Sequence, residues 1–442
     1  MNREVGVVER FRNIAFGTVL AAGVLASGCA TETAGPAAVN QGTTTTETEF
    51  VDLGESTTTV TELPPNELPN MTEEDGGLCV EPQPEDFAQV RDWMAEPQDP
   101  ALIPTFSGKG DDEAYQNYEA TSQAFRNQLA TELGQTTYDA TPIIEELNSQ
   151  SMSVSSEGSY YNLPFQDYLS ATQEFMANYG VQVMVGTPEM EYSYGGRAPE
   201  AEMLESDNAK ITLMNVLYTF TDQPEQYVKE VAGLGGIVLM TGTEGENVGA
   251  YAQSGELNNQ IYINIQTKEE TLPISVSNVH HELAHLGDAD SCNIWASAED
   301  PDYEQLNGGL DIYDPEVTYD TVTFEYGDYI SLTGNLIDEK IVAEEAGDMK
   351  KWCEINDREQ AIGAEVLTYS EYHPDPSEDK AEIGAGITQP YMYGILADSR
   401  FPVLRNKFEL LLARLHARYP KVAEYLIKTA DRPYTDPLEA NC

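Results

Sequence analysis

The chain has 442 residues, of which 76 are Asp or Glu and 23 are Lys or Arg, so its formal net charge is −53 at pH 7. A charge this negative excludes a nucleic-acid partner, because phosphate binding requires a basic face, and it also excludes electrostatic adhesion to an anionic bilayer. Once an N-terminal signal and tether are set aside, residues 76–442 suffice for two domains or for one large elaborated domain.

The N-terminus has the pattern of a bacterial export signal. An arginine-containing start precedes an apolar segment over 14–25 that is too short to be a comfortable membrane span. The sequence LASGC follows and resembles a lipobox, in which Cys29 becomes the lipidated first residue of the mature protein. The alternative is an ordinary cleaved signal peptide with an incidental cysteine. We predict a lipoprotein signal peptide over 1–28 and a lipid anchor at Cys29, which would hold the protein at the extracytoplasmic face of the bacterial cell membrane.

Residues 29–75 have the composition of a flexible tether. They are rich in Thr, Glu, Pro, Gly and Asn, and they contain no Lys or Arg. Such a segment has too little apolar surface to offset the entropy that ordering would cost. We therefore predict a disordered stalk that lifts a folded body away from the membrane.

The body begins with a mainly helical pattern between residues 76 and 234. Apolar residues recur at helical spacing over 84–96, 111–133, 163–180, 200–220 and 224–232. An apolar run over 181–185 predicts a strand, whereas Ser and Gly interrupt the pattern over 136–162 and loop residues occupy 191–199. We predict a mainly helical N-terminal region.

The pattern becomes more β-like after residue 235. Residues 236–241 form a short apolar run, and residues 260–266 alternate isoleucine with polar residues, as a half-buried strand does. A Gly-, Asp- and Tyr-rich stretch over 300–319 predicts a long loop. Further helices are predicted over 326–346, 356–369, 378–396, 403–419 and 421–429. This mixture predicts an α+β fold.

The run VHHELAHLGDAD contains a His-Glu-x-x-His pattern. On a helix, His281 and His285 lie on one face about one turn apart, so that both can bind one metal ion. Glu282 then points toward the open side of the metal, where it can accept a proton from a bound water molecule. The pattern therefore predicts a zinc hydrolase, and most simply a peptidase.

The residues around the motif favour a helix. Apolar side chains recur at helical spacing before and within it, and Gly287 is placed to end the helix. The alternative is a solvated helix with incidental histidines. Three of the five histidines in the chain lie within residues 280–285, which argues against that alternative. His280 faces about 100° away from His281 on such a helix and is interpreted as a packing or supporting residue.

A catalytic zinc usually has three protein ligands, so the motif requires one more. Asp288 and Asp290 are close in sequence, but Asp290 misses the spacing of the metzincin-like enzymes by one residue. His373 stands near an acidic cluster, whereas His416 on a Leu- and Arg-rich helix is interpreted as a surface or packing residue. The best candidate is Glu378, which opens a Glu-x-x-Ala-Glu pattern at the start of a helix.

The two motifs together resemble a known family. His-Glu-x-x-His over 281–285 followed by Glu-x-x-Ala-Glu over 378–382 resembles the glutamate-zincins. More closely, the pair is similar to lethal-factor-type catalytic domains and to a group of bacterial zinc-binding metallopeptidase lipoproteins. The resemblance covers residues 235–400. It implies a zincin-like catalytic domain over 235–442, Zn²⁺ as cofactor, and a peptide or protein as substrate.

The resemblance also implies roles for individual residues. Glu378 would be the third zinc ligand beside the two motif histidines. Glu382, one helical turn later, would support the site by accepting a hydrogen bond from a ligand histidine. Tyr372 would donate a hydrogen bond to the developing oxyanion, with Tyr369 as second choice. The alternative for the two glutamates is an acidic helix N-terminus that the helix dipole favours.

The predicted reaction is hydrolysis of a peptide bond by a zinc-activated water molecule. Zinc lowers the pKa of its bound water toward neutrality and polarises the scissile carbonyl, while Glu282 acts as general base and passes the proton to the leaving amine. Tyr372, with help from His373, would stabilise the tetrahedral intermediate. The strand over 260–266 would be the sheet edge that holds an extended peptide.

Two other functions remain open at the level of sequence. One is a non-catalytic surface lipoprotein that keeps a zincin fold for binding. Glu282 argues against it, because a structural zinc site does not need a base. The other is a hydrolase that cleaves cell-wall peptides rather than proteins, and the sequence does not separate it from a general peptidase.

Four cysteines follow Cys29, and an even number in an exported protein favours disulfide bonds, with three possible pairings. We expect Cys292 to pair with Cys353, because both flank the region of the site, and Cys79 to pair with Cys442, which would join the ends of the body. A four-thiolate zinc site is not expected, because no two of these cysteines are close in sequence.

Overall fold

A computed structural model of the chain describes residues 81–97, 112–155, 158–242, 249–253, 259–265, 274–289, 300–310, 312–313, 324–369, 376–433 and 438–442. The predictions for the signal peptide (1–28), the tether (29–75) and lipidation at Cys29 lie outside these residues. All described residues fall in one compact unit. Among them, no helix combines the length and the hydropathy that a membrane span requires.

Helices dominate the described chain before residue 235, as predicted. They are α1 (Pro84–Ala95), α2 (Asp112–Leu133), α3 (Thr141–Ser151), α4 (Phe165–Met176), α5 (Ala201–Leu204) and α6 (Asp207–Phe220). The stretch 136–162 was expected to be broken, but it contains α3 and a hairpin of β1 (Met152–Ser155) and β2 (Gly158–Tyr161). Ile144 and Leu147 on α3 are buried in the main core, so tertiary packing outweighs the weak local helix signal.

A four-stranded sheet follows. Its strands are β3 (Gln182–Val185), β4 (Leu234–Met240), β5 (Ala250–Gln253) and β6 (Asn259–Asn264), in the spatial order β3-β4-β6-β5. β3, β4 and β6 are parallel, and β5 is antiparallel to β6. The expectation that residues 260–266 form the sheet edge is therefore wrong. The alternation of apolar and polar residues along a strand shows which residues lie on each face of the sheet. Which strands pair with its two edges depends on the tertiary structure.

The two faces of the sheet bury different residues. The face toward the main core is formed by Ile237, Leu239, Ile261 and Ile263. The opposite face is formed by Val238, Met240, Tyr251 and Tyr262, against which Met190, Tyr192 and Tyr194 pack. β6 was predicted to be half-buried, but Tyr262 is only 6% exposed. The segment that contains Met190, Tyr192 and Tyr194 covers the face of the sheet on which Tyr262 lies.

Eight helices of the described chain follow the sheet. They are α7 (Val276–Ala289), α8 (Pro301–Glu304), α9 (Tyr326–Glu345), α10 (Met349–Gly363), α11 (Pro376–Thr388), α12 (Pro390–Leu396), α13 (Pro402–Arg418) and α14 (Pro420–Thr429). Short 3-10 or π turns occur at Ala177–Tyr179, Tyr227–Val231, Gln305–Asn307 and Glu439–Asn441. The predicted loop over 300–319 thus begins with α8 and a 3-10 turn.

Two of the helices predicted after the sheet differ clearly from the structure. The helix expected over 356–369 is α10, which begins earlier because the side chain of Asp348 accepts a hydrogen bond from the Lys351 N–H at 3.1 Å and caps the N-terminus. The helix expected over 378–396 is divided into α11 and α12 at Pro390, whose ring nitrogen has no hydrogen to donate to a continuing helix.

Helix α11 lies at the centre of the fold. Twelve of its 13 residues are buried, including the charged residues Glu378, Asp379 and Lys380. It packs so closely on α12 at Gly386 that a Cβ atom there would lie 2.2 Å from a methyl carbon of Leu396. A charged helix that is buried on every side must find partners for its charges within the protein.

The fold is α+β, as predicted. One main core extends from Val90 in α1 to Ala430 after α14 and contains residues from both sides of residue 235. The division of the body into regions 76–234 and 235–442 stays a prediction.

One disulfide bond in the described chain joins Cys353 in α10 to Cys442. The expected pairings of Cys292 with Cys353 and of Cys79 with Cys442 are therefore wrong, and Cys79 and Cys292 lie outside the described residues. Sequence proximity to the site does not decide pairing. A disulfide requires Cα atoms about 4.4–6.8 Å apart, and those of Cys353 and Cys442 are 5.5 Å apart although 89 positions separate them in sequence.

Candidate metal centre

Helix α7 carries the His-Glu-x-x-His motif and packs against β5 and β6. Its apolar residues Val279, Leu283 and Leu286 are fully buried, which confirms the helical periodicity predicted for this segment. The expected stop at Gly287 is wrong, because the helix continues through it to Ala289. Glycine ends a helix where the chain turns left-handed, and the backbone at this position stays helical.

Three side chains from two helices converge beside the sheet. His281 and His285 are one turn apart on α7, with their Nε2 atoms 3.0 Å from each other. Glu378, in the first turn of α11, places Oε2 3.1 Å from His281 Nε2 and Oε1 3.5 Å from His285 Nε2. The structure thus brings together the three residues that the sequence indicated as metal ligands, although 97 positions separate His281 from Glu378.

The spacing of these atoms fits a tetrahedral metal ion. Bonds of about 2.0–2.1 Å from zinc to nitrogen or oxygen place tetrahedral ligand atoms roughly 3.3 Å apart. The observed separations of 3.0, 3.1 and 3.5 Å lie on either side of that distance. Two imidazoles and one carboxylate are also a known donor set of catalytic zinc. These residues could therefore hold a metal ion such as zinc.

The charges of the cluster also suit a cation. Glu378 is 3% exposed. Burial tends to raise the pKa of Glu378, but the neighbouring histidines outweigh burial and hold that pKa well below its usual range. Burial tends to lower the pKa of His285, but the Glu378 carboxylate outweighs burial, so that this pKa is raised. Glu378 is therefore ionised with its charge compensated by the histidines, and a bound metal ion could compensate that charge in their place.

Two more glutamates border the cluster. Glu382, one turn after Glu378 on α11, has Oε1 3.2 Å from His281 Nδ1 and can accept a hydrogen bond from that nitrogen. Such a bond would orient the ring and leave Nε2 directed at the cluster. Glu282 is 2% exposed and adjoins His281 on α7. The roles of ligand, base and supporting residue stay predictions.

His280 belongs to a different contact. Its Nδ1 atom is 2.8 Å from Thr388 Oγ1 at the end of α11. Burial lowers the pKa of His280 to about 3, so the ring is neutral near pH 7. His280 therefore joins α7 to α11 as a packing residue, in agreement with the interpretation of the sequence.

The remaining candidates from the sequence either lie outside the described residues or make other contacts. Outside the described residues lie Tyr372, His373, Asp290 and the side chain of Asp288. Tyr369 is buried and stacks on Tyr326, with ring centroids 5.3 Å apart. His416 has Nδ1 2.7 Å from an Asp86 carboxylate oxygen and lies edge-on to Trp93. The interpretation of His416 as a surface or packing residue is therefore confirmed.

A buried ionic pair behind the cluster was not predicted from the sequence. Asp379, next to Glu378, accepts hydrogen bonds from Lys407 Nζ and from the Tyr313 hydroxyl, both at 2.6 Å. Asp379 and Lys407 are both completely inaccessible to solvent. Lys407 lies 28 positions after Asp379 on α13, a separation that no helical or strand periodicity would reveal.

A second ionic group lies beside the first. Lys380 Nζ is 2.9 Å from Asp300 Oδ2, and the Arg414 guanidinium donates two hydrogen bonds to the same carboxylate. Burial tends to raise the pKa of Asp300, but Arg414 and Lys380 outweigh burial and hold that pKa well below its usual range. The charges on both sides of α11 are therefore paired inside the protein.

No family model matches the chain, and no curated protein matches it either. Among solved structures, one described as a "putative zinc-binding metallo-peptidase" from Bacteroides caccae is similar to part of this chain. The identity is 13%, the match covers 63% of this chain and 93% of that chain, and the TM-score is 0.32. A likeness at this level supports no inference about function. Any inference about function must therefore come from the geometry of the cluster.

Proposed function

We propose that this protein is a zinc metallopeptidase. The observation that carries the proposal is the triangle of His281, His285 and Glu378, whose ligand atoms have the spacing and the donor types that a catalytic zinc requires. The motif also places Glu282 beside the triangle. A site built only for structural zinc would need no such carboxylate.

The chain's own residues divide the work of the proposed reaction. His281, His285 and Glu378 would hold the ion, and Glu382 would orient the ring of His281. Bound zinc would supply Lewis-acid polarisation of the scissile carbonyl and lower the pKa of a water molecule.

Proton transfer and charge stabilisation would fall to two other residues. Glu282 would take the proton of the attacking water and deliver it to the leaving amine. Tyr372 would donate a hydrogen bond to the oxyanion.

The sheet offers a place for a peptide substrate next to α7. Among the described strands, β5 pairs with β6 alone, and it packs against α7. The Asn264 N–H donates to the Gly249 carbonyl, so these two residues form a hydrogen-bonded pair of the antiparallel ladder. Hydrogen-bonded and non-hydrogen-bonded pairs alternate along such a ladder, and the backbone N–H and C=O of Ala252 therefore point away from β6. An extended peptide could pair with these groups by strand addition. We therefore propose β5, in place of β6, as the strand that holds the substrate.

The first test is zinc content and peptidase activity of the purified full-length chain. We expect about one zinc per chain and hydrolysis of a broad peptide library that a chelator stops and added zinc restores. Zinc should also raise the unfolding temperature, because a ligand at 1,000 times its Kd stabilises the folded state by about 4 kcal/mol. Bound zinc without hydrolysis would favour a non-catalytic binding protein. A chain that binds no zinc would rule out both functions.

We further propose that a lipid on Cys29 anchors the protein at the extracytoplasmic face of the cell membrane. The support is the apolar segment before LASGC and the Thr-, Glu- and Pro-rich stretch after it. In a bacterial host, the wild-type chain should incorporate labelled fatty acid and sediment with membranes, whereas Cys29→Ser should do neither. Equal membrane association of the two chains would contradict the anchor.

A further inference from the structure

Glu378 lies at a point of α11 that needs support from outside the helix. The helix begins at Pro376, so Glu378 belongs to its first turn. The N–H groups of a first turn have no partners within the helix, and terminal turns open more easily than helix interiors. A metal ligand in this position keeps a fixed distance to its fellow ligands only if other contacts hold the turn.

Lys407 supplies the charged contact that holds this turn. Its Nζ atom donates to Asp379 Oδ2 at 2.6 Å and to the Leu367 carbonyl at 2.8 Å. The Tyr313 hydroxyl donates to the same oxygen of Asp379. Through Asp379, the residue directly after Glu378, the first turn of α11 is tied to α13, to the segment before residue 370 and to the loop at Tyr313.

The pair is fully desolvated. Asp379 and Lys407 are both 0% exposed, and the ring of Tyr303 lies 5.1 Å from Lys407 Nζ and 5.4 Å from Lys380 Nζ. A buried ion pair adds little net stability, because the cost of desolvating two charges is comparable to their attraction. What such a pair does provide is a short contact of defined direction between two helices.

We propose that Lys407 is a positioning residue of the metal centre. By fixing Asp379, it holds the first turn of α11 and thereby keeps the Glu378 carboxylate 3.1 and 3.5 Å from the two histidine nitrogens. Lys407 acts through Asp379, because its hydrogen bonds within the described part of the chain go to Asp379 and to the Leu367 carbonyl. The inference rests on the proposed zinc site.

The test compares zinc affinity in full-length variants, measured by competition with a chelating indicator. Lys407→Met should lower zinc affinity about 10- to 100-fold, the usual effect of removing a group that supports a metal ligand. This variant leaves Asp379 buried without its cation and risks unfolding. The double variant Lys407→Met/Asp379→Leu removes both charges, so it should fold, yet it lacks the anchor and should show the same loss of affinity.

A matched control separates positioning from general stability. Lys340 on α9 is also a largely buried lysine; it pairs with Glu359 at 2.6 Å and lies over the ring of Trp352, both on α10. Lys340→Met should lower the unfolding temperature but leave zinc affinity unchanged.

Wild-type zinc affinity in the folded double variant would show that the Lys407–Asp379 pair is only structural and would overturn the inference. If the wild-type chain itself bound no zinc, the proposed function would fail first, and the positioning role with it.

Discussion

Glu282→Gln is expected to remove peptidase activity while zinc stays bound. The amide has nearly the same shape as the carboxylate but cannot accept the proton of the attacking water, so kcat should fall about 10²- to 10⁴-fold. The side chain is not one of the three groups whose ligand atoms converge, so the metal content should remain that of the wild type. Kinetics on a cleaved peptide and metal analysis of the same sample provide the measurement.

The control for this substitution is Glu359→Gln. Glu359 on α10 is 5% exposed, close to the 2% of Glu282, so its replacement measures the effect of neutralising a buried carboxylate away from the cluster. It should leave kcat unchanged in the folded fraction. Activity retained in Glu282→Gln would assign the base to another residue. Loss of zinc in Glu282→Gln would point to a structural contribution instead.

Glu378→Ala is expected to abolish stable zinc binding. Removal of one ligand of three leaves two histidines, and the loss of affinity should exceed the 10- to 100-fold effect of deleting a supporting partner. Glu382→Ala is the internal comparison, because Glu382 contacts His281 Nδ1 rather than the cluster side of the ring. The zinc affinity of Glu382→Ala should fall by only about 10- to 100-fold, so that this variant still binds a full equivalent of zinc at high zinc concentration. Zinc titration of both variants beside the wild type gives the comparison.

The two outcomes that would contradict this assignment differ. Tight zinc binding by Glu378→Ala would return Asp288, Asp290 and His373 to consideration as the third ligand. Equal losses in Glu378→Ala and Glu382→Ala would mean that the two glutamates cannot be separated into a ligand and a supporting residue.

The histidine pair was predictable because its geometry is local. Residues i and i+4 of a helix face the same way whatever surrounds the helix, so His281 and His285 had to lie together once Val279, Leu283 and Leu286 indicated a helix. The α+β class was predictable for the same reason, since periods of 3.6 and 2 residues are written in the sequence itself. Glu378 was reached through a resemblance between motifs, and local periodicity contains no information about its distance from the histidines.

The tertiary structure decided everything that depends on partners far apart in the chain. β6 has the alternation of a half-buried strand and was expected at the edge of the sheet, but its position between β4 and β5 makes it internal. Cys442 could have bonded to any other cysteine until the fold brought it to Cys353.

Lys407 is the clearest example of such a partner. On sequence alone it is one cation on a helix, and only the packing of α13 against α11 turns it into the partner of Asp379. The sequence by itself determined most of the helices and which histidines face together, because those depend on neighbours within one or two turns. Helix α3 has only a weak local signal and forms because its apolar residues are buried in the main core. Pairings between segments depend on the packing of the whole core, and only the folded chain contains them.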